Sequence, residues 1–219
     1  MIGEMREERF PPNPPQFESR EEALRWIEVQ GANVLPNMPA ELTQSELQRV
    51  ADELNKLPDT VLARLKANEM TIEFVADTGI TVSPKYADLK GKRPRGWGRR
   101  ATWDSVPGIG GERGVTIVAN RIGEGHGSVN LLLHETAHTW ERSFAKDPDF
   151  GIRLSESSAW RSIWKATKKN PPKWWARHYE GRYPEEALAE SFAHYLNSKE
   201  GPQAVGEAIA SFFKEFLAL

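Results

Sequence analysis

Leu47, Val50, Leu54 and Leu57 stand three and four residues apart among polar neighbours, a stripe that predicts one buried face of an α-helix. Thr43 with Glu46 gives that helix a capping box, and Pro58 closes it. Ser19 with Glu22 repeats the signature for an earlier helix ending near Gly31, and a third, short helix is expected over residues 60–67. The period then changes. Thr71-Ile72-Glu73-Phe74-Val75 alternates and is rich in β-branched residues, which predicts a strand; residues 114–119, with Val115, Ile117 and Val118, predict another. Between them runs a long stretch, from about Pro84 to Arg113, rich in Gly, Pro, Arg and Trp. Helical spacing returns over about 128–145, 157–169, 184–197 and 203–217.

The chain of 219 residues has material for a core, and 39% hydrophobic with 27% charged residues is the balance of a soluble globular protein. A formal charge of −2 gives no global field toward nucleic acid or membrane. Cysteine is absent, so metal chemistry here must use His and carboxylate. Residues 1–18, charged and then proline-rich (Pro11-Pro12-Asn13-Pro14-Pro15), are expected to form an extended arm. The first nine residues carry no apolar run of a signal peptide, and no stretch has the length of a membrane span.

The helix expected over 128–145 carries His134-Glu135-Thr136-Ala137-His138, an HExxH pattern inside an apolar run. Residues four apart share a helix face, so both imidazoles can reach one metal ion, and Glu135, one step round, can take a proton from a water activated there. The bland alternative is two histidines on a buried helix face. Early strands and late helices around such a helix indicate a single α+β, zincin-like domain over residues 19–219. Its N-terminal subdomain (about 19–140) would hold helices and a small twisted sheet, its C-terminal subdomain (about 141–219) only helices, with the metal helix at the junction.

A catalytic zinc site needs a third protein ligand and an open position. Glu156 lies 18 residues beyond His138, a spacing thermolysin-like enzymes use, but in Ser155-Glu156-Ser157-Ser158 it can equally be a helix-start acid. Glu186 lies 48 residues beyond, in Tyr183-Pro184-Glu185-Glu186-Ala187-Leu188-Ala189-Glu190-Ser191-Phe192. With Pro184 in a first turn, Glu186 and Glu190 fall four apart on one face, which suits a ligand followed by a carboxylate that accepts from a ligand imidazole. The chemistry favours Glu186 over Glu156.

HETAH preceded by Gly125-His126-Gly127-Ser128-Val129-Asn130-Leu131 and followed by the segment around Glu186 resembles the secreted bacterial Pro-Pro endopeptidases, compact relatives of the catalytic domain of anthrax lethal factor. The likeness includes Leu89-Lys90-Gly91, Pro94-Arg95-Gly96-Trp97 and Thr102-Trp103-Asp104-Ser105-Val106-Pro107-Gly108-Ile109-Gly110-Gly111, and spans roughly residues 60–200. It implies Zn²⁺ held by His134, His138 and Glu186, with Glu190 behind them, Glu135 as base and Tyr179 as a catalytic phenol. Tyr183 is then a packing residue. His178 departs from the family pattern and is an alternative ligand beside Tyr179. The implied substrate is a proline-rich protein segment cut between two prolines, at the cell surface or outside it, by a monomer. Trp97, Arg95, Trp103, Gly110, Gly111 and Glu185 become candidate substrate contacts, with an Arg95–Glu185 latch. Trp103 also suits a core position; His126 reads as a loop residue, His194 as a helix-surface residue, and Trp160, Trp164, Trp174 and Trp175 as packing residues.

Competing expectations remain. The likeness also allows a lethal-factor-like peptidase of different peptide specificity. Seven basic residues within 85–100, beside Trp97, could bind a nucleic acid single strand, but the charge elsewhere is acidic. A zinc-stabilised, non-catalytic module would gain nothing from Glu135. Pro12-Asn13-Pro14-Pro15 is itself similar to a sequence such enzymes cut, so the arm is a self-substrate or a product-like inhibitor, against the inert spacer that its composition favours.

Overall fold

The computed structural model describes residues 16–29, 42–75, 79–94, 98–122, 127–176, 179–197 and 201–218. The arm at Pro12-Asn13-Pro14-Pro15, Arg95, Trp97, His126 and His178 therefore lie outside the described residues.

Helix α1 (Arg20–Val29) starts where Ser19 Oγ accepts the Glu22 N–H at 3.2 Å. Helix α2 (Gln44–Leu54) has the full capping box: Thr43 Oγ1 accepts from Glu46 N–H, and Glu46 accepts from Thr43 N–H at 2.7 Å. Its stripe of Leu47, Val50, Ala51 and Leu54 is buried. Helix α3 (Asp59–Ala67) follows Pro58, and strand β1 (Ile72–Val75) leads into the sheet.

The described parts of the Gly/Pro/Arg/Trp-rich stretch over 84–113 hold regular local structure. It contains 3-10 turns at Pro84–Leu89 and Trp103–Ser105 and ends in strand β2 (Gly108–Gly111). Strand β3 (Gly114–Val118) pairs antiparallel with β2 and parallel with β1, giving the order β1-β3-β2 with β2 at an edge. Every residue of β1 and β3 is buried, because both faces of the sheet are covered. Ile72, Phe74, Val115 and Ile117 face the main core; Val75 and Val118 face a second, smaller cluster with Ile80, Tyr86 and Val106.

Helix α4 (Leu131–Ser143) runs through the centre, packed on β2, β3 and α6 (Pro184–Asn197). Asn130 caps it by accepting from Leu133 N–H at 3.1 Å, while its amide donates to Glu53 of α2 and Asn197 of α6. Helices α5 (Ser158–Thr167) and α7 (Glu207–Phe216) complete the helical half. Trp140, Phe144, Phe192 and Phe213 form an edge-to-face and tilted aromatic network there, with centroid spacings such as 5.3 Å for Trp140–Phe144. Such pairs each contribute about 0.5–1.5 kcal/mol beyond their buried area. They fix α4 against α6, and that packing sets the relative position of the two helices that carry the site.

Candidate active site

Residues 134 and 138 lie one turn apart on α4, and their rings meet edge to face with centroids 4.9 Å apart. Residues 186 and 190 lie one turn apart on the facing side of α6. His138 Nε2 is 3.2 Å from Glu186 Oε2, and His134 Nε2 is 3.4 Å from the same oxygen. The two Nε2 atoms are themselves 3.2 Å apart. Ligand atoms of His134, His138 and Glu186 all lie within 4.8 Å of one another, an arrangement that could hold a metal ion. Glu156 is exposed on its 3-10 turn and takes no part in this group.

His134 Nδ1 lies 3.0 Å from Glu190 Oε2. A carboxylate only accepts, so the proton sits on Nδ1 and the Nε2 lone pair is directed to the cluster. Glu190 is buried and its other oxygen accepts the Val129 N–H at 3.1 Å. Burial opposes charge on both acids, yet the neighbouring imidazoles outweigh it: His138 and His134 hold Glu186 well below the usual carboxylate range, and His134 and His194 do the same for Glu190. Burial likewise opposes charge on His134, but its contacts with Glu186 and Glu190 push it up. The cluster attracts positive charge, and two imidazole nitrogens with one carboxylate oxygen are a donor set that suits a borderline divalent cation.

Beside the group opens a cleft of about 730 Å³, lined by His134, Glu135, His138, Glu186 and Tyr179 together with Trp103, Gly110 and Glu185. Burial pushes the Glu135 carboxyl up, with partial compensation from the imidazoles and from the N–H of Gly110. The glycines of β2 explain how an edge strand lies so close to α4. A Cβ on Gly110 would sit 1.8 Å from the Glu135 carbonyl oxygen, and one on Gly108 3.1 Å from Glu135 Cγ. Gly111 does not line the cleft. Its N–H donates to Thr139 Oγ1 at 2.8 Å, and its missing side chain leaves room for the Arg142 guanidinium.

The tryptophans hold the other wall. Trp160 Nε1 donates to the Pro184 carbonyl at 2.8 Å, anchoring the first turn of α6 that carries Glu185 and Glu186. Trp164 Nε1 donates to the Glu180 carbonyl at 2.9 Å, fixing the turn that presents Tyr179. Trp103 is half-buried, packed against the smaller core cluster while also facing the cleft. Tyr183 stacks edge-on against Tyr179 at 5.7 Å and is not among the lining residues.

Sequence reasoning brought together His134, Glu135, His138, Glu186, Glu190 and Tyr179. It missed Arg142 and Glu180, which also line the cleft, and it placed His194 on the helix surface. Instead, His194 Nε2 lies 3.3 Å from Glu190 Oε1. The spacing of Glu186, Glu190 and His194, four and four, was the available signal.

Comparison with known proteins agrees with this geometry. Residues 27–214 match the family described as "Anthrax toxin lethal factor, N- and C-terminal domain". The chain is 35% identical over 159 residues to a Pro-Pro endopeptidase of Clostridioides difficile (strain 630), covering 72% of this chain and 68% of that protein. It is 35% identical over 171 residues to a Pro-Pro endopeptidase of Paenibacillus alvei, covering 75% of this chain and 72% of that one. The solved structure of the Paenibacillus alvei Pro-Pro endopeptidase superposes with a TM-score of 0.66 at 31% identity, over 82% of this chain and 93% of that chain. The α+β arrangement, the His-His-Glu group and these relationships together establish that the chain belongs to the lethal factor domain family and, within it, to the Pro-Pro endopeptidases.

Proposed function

We propose that this chain is a zinc-dependent endopeptidase that hydrolyses the bond between adjacent prolines in proline-rich protein segments. The observation that carries the reading is the convergence of His134, His138 and Glu186 within 4.8 Å beside an open cleft, in a chain related to Pro-Pro endopeptidases. Zinc bound by these three groups supplies Lewis-acid polarisation of a carbonyl and a nucleophile at neutral pH. Glu135 takes a proton from the attacking water and delivers it to the leaving proline nitrogen. Its burial suits this role, since a carboxyl of raised pKa is a better proton acceptor near neutral pH. Tyr179 donates a hydrogen bond to the substrate carbonyl oxygen as negative charge develops, a contribution of about 3 kcal/mol for one such donor. Glu190 keeps His134 in the tautomer that presents Nε2.

Two adjacent prolines form a stiff polyproline II rod without N–H donors, so strand addition alone binds them poorly and apolar walls replace it. Trp103, Val106 and Ile109 in the cleft wall provide such a surface. By likeness to its relatives, the protein is proposed to act at the cell surface or outside the cell, on a polypeptide substrate.

A proline-rich peptide library incubated with the zinc-loaded wild type and with Glu135→Gln, read by mass spectrometry, tests the proposal. Cleavage between prolines by the wild type, lowered about 10²–10⁴-fold in E135Q, is expected. Cleavage confined to other bonds overturns the substrate assignment, and equal rates in both proteins overturn the role of Glu135.

A further inference from the structure

Glu186, Glu190 and His194 occupy successive turns of one face of α6. The first two have places in the reading above; the third continues the line outward. Glu190 divides its oxygens: Oε2 meets His134 Nδ1 at 3.0 Å, while Oε1 meets both the Val129 N–H at 3.1 Å and His194 Nε2 at 3.3 Å. The His194 ring is not left to rotate. Trp174 lies flat against it, with ring centroids 4.2 Å apart and planes 23° from parallel. Only 18% of the His194 side chain is exposed, against 3% for Glu190.

Trp174 stands five residues before Tyr179, in the segment that Trp164 also anchors through the Glu180 carbonyl. One imidazole therefore lies within 3.3 Å of the carboxylate that orients His134 and is stacked on Trp174. We propose that His194 is a positioning residue: by donating to Glu190 and stacking on Trp174 it fixes the Glu190 carboxylate, and through it the His134 ring, in the orientation that binds metal. It does not itself touch the metal or the substrate. The proposal rests on the metal reading of His134, His138 and Glu186, but not on the identity of the peptide substrate.

A neutral helix-surface histidine would need neither contact. The physical basis is rotational. A carboxylate with donors on both oxygens is held in one orientation, and removing His194 takes away one of those restraints on Oε1 while the Val129 N–H stays. Partners that orient a metal-binding imidazole are worth about 10–100-fold in metal affinity, and a group one step further out is expected to fall at the lower end of that range.

The test uses three single variants of the full chain. His194→Phe keeps a flat ring for Trp174 and removes the donor; His194→Gln keeps an N–H donor and loses the ring; Trp174→Leu keeps the imidazole and removes its support. Zinc affinity is measured by competition with a chromophoric chelator, and the d–d absorption bands of the cobalt(II)-substituted protein report the ligand geometry. H194F is expected to weaken zinc about tenfold and to shift the cobalt bands, while W174L and H194Q, which each keep a donor and lose only the stack, do the same about threefold. Wild-type zinc affinity and cobalt bands in H194F overturn the proposal. So does a loss in H194Q as large as in H194F, because the N–H would then be irrelevant. Should H194F fail to fold, wild-type behaviour of W174L on both readouts overturns it equally. Neither readout involves a peptide, so failure of the Pro–Pro assignment would leave this result intact, and the reverse.

Discussion

Glu73 and Glu190 are equally hidden, each with 2% of its surface exposed, yet they are held by different kinds of partner. Glu73 lies in β1. Its Oε2 accepts from the hydroxyls of Ser83 and Thr116, both at 2.8 Å, with Lys85 at 3.6 Å. Those donors belong to two separate segments, strand β3 (Thr116) and the turn capped by Ser83 that contains Lys85, and they tie the sheet to that turn. Glu190 instead accepts from an imidazole whose second nitrogen meets another imidazole and another carboxylate. Burial of an acid is thus no mark of function by itself. What distinguishes the two is whether the partners have electron pairs left over and where these converge.

Substitutions at the two acids sharpen this contrast. Glu186→Gln should have the largest effect of all, replacing the carboxylate shared by both imidazoles with an uncharged amide; metal retention after dialysis and peptide hydrolysis should both be lost, and a metal-replete E186Q would break the distinction. Glu190→Gln should weaken metal binding by about 10–100-fold, measured by chelator competition. Glu73→Gln should leave metal affinity and turnover at wild-type levels while lowering unfolding free energy by about 1–3 kcal/mol, measured by urea denaturation. If E73Q were to lose metal as E190Q does, the division between the two sites would not hold.

Gly110→Ala probes the wall between the two regions. Its Cβ would fall 1.8 Å from a backbone oxygen of α4, so helix or strand must move. A stability loss of about 1–3 kcal/mol is expected, together with slower hydrolysis, read by thermal melting and initial rates. An unperturbed G110A would show that the strand does not press on the helix.

The smallest expected effect concerns Glu141, the fully buried acid one turn beyond His138's face. Burial pushes its pKa above the ordinary 4.5, with the N–H and hydroxyl of Ser155 offsetting part of the shift. A folded-state value above the unfolded one means that the native state favours the proton. The resulting stability is present below pH 4.5 and is lost as pH rises through the raised value. Glu141→Gln has no such loss, so the melting temperature of E141Q relative to wild type should rise between pH 4 and about pH 7. A difference that shrinks over that range contradicts the assignment.

Much of the site was legible because helices write their geometry into sequence. His134 and His138, then Glu186 and Glu190, each declare a shared face through spacing alone, and the capping signatures at Thr43 and Ser19 mark where helices begin. Strand β2 was not legible, because Gly108-Ile109-Gly110-Gly111 has almost no side chains to alternate. It is a strand because β3 pairs with it and because only glycine allows α4 so near. The indole bonds of Trp160 to the first residue of α6 and of Trp164 to the turn before it were equally invisible, since they join residues 24 and 16 positions apart. His194 was misplaced for a related reason: periodicity showed its face on α6, but not the Trp174 ring that covers it.

The central claim is that two imidazoles of α4 and one carboxylate of α6 hold a single zinc ion. Diffraction data collected on either side of the zinc absorption edge from crystals of the zinc-loaded protein test it most directly. One strong anomalous peak bounded by His134 Nε2, His138 Nε2 and Glu186 is expected. A peak elsewhere, or one from which Glu186 stands apart, would contradict it.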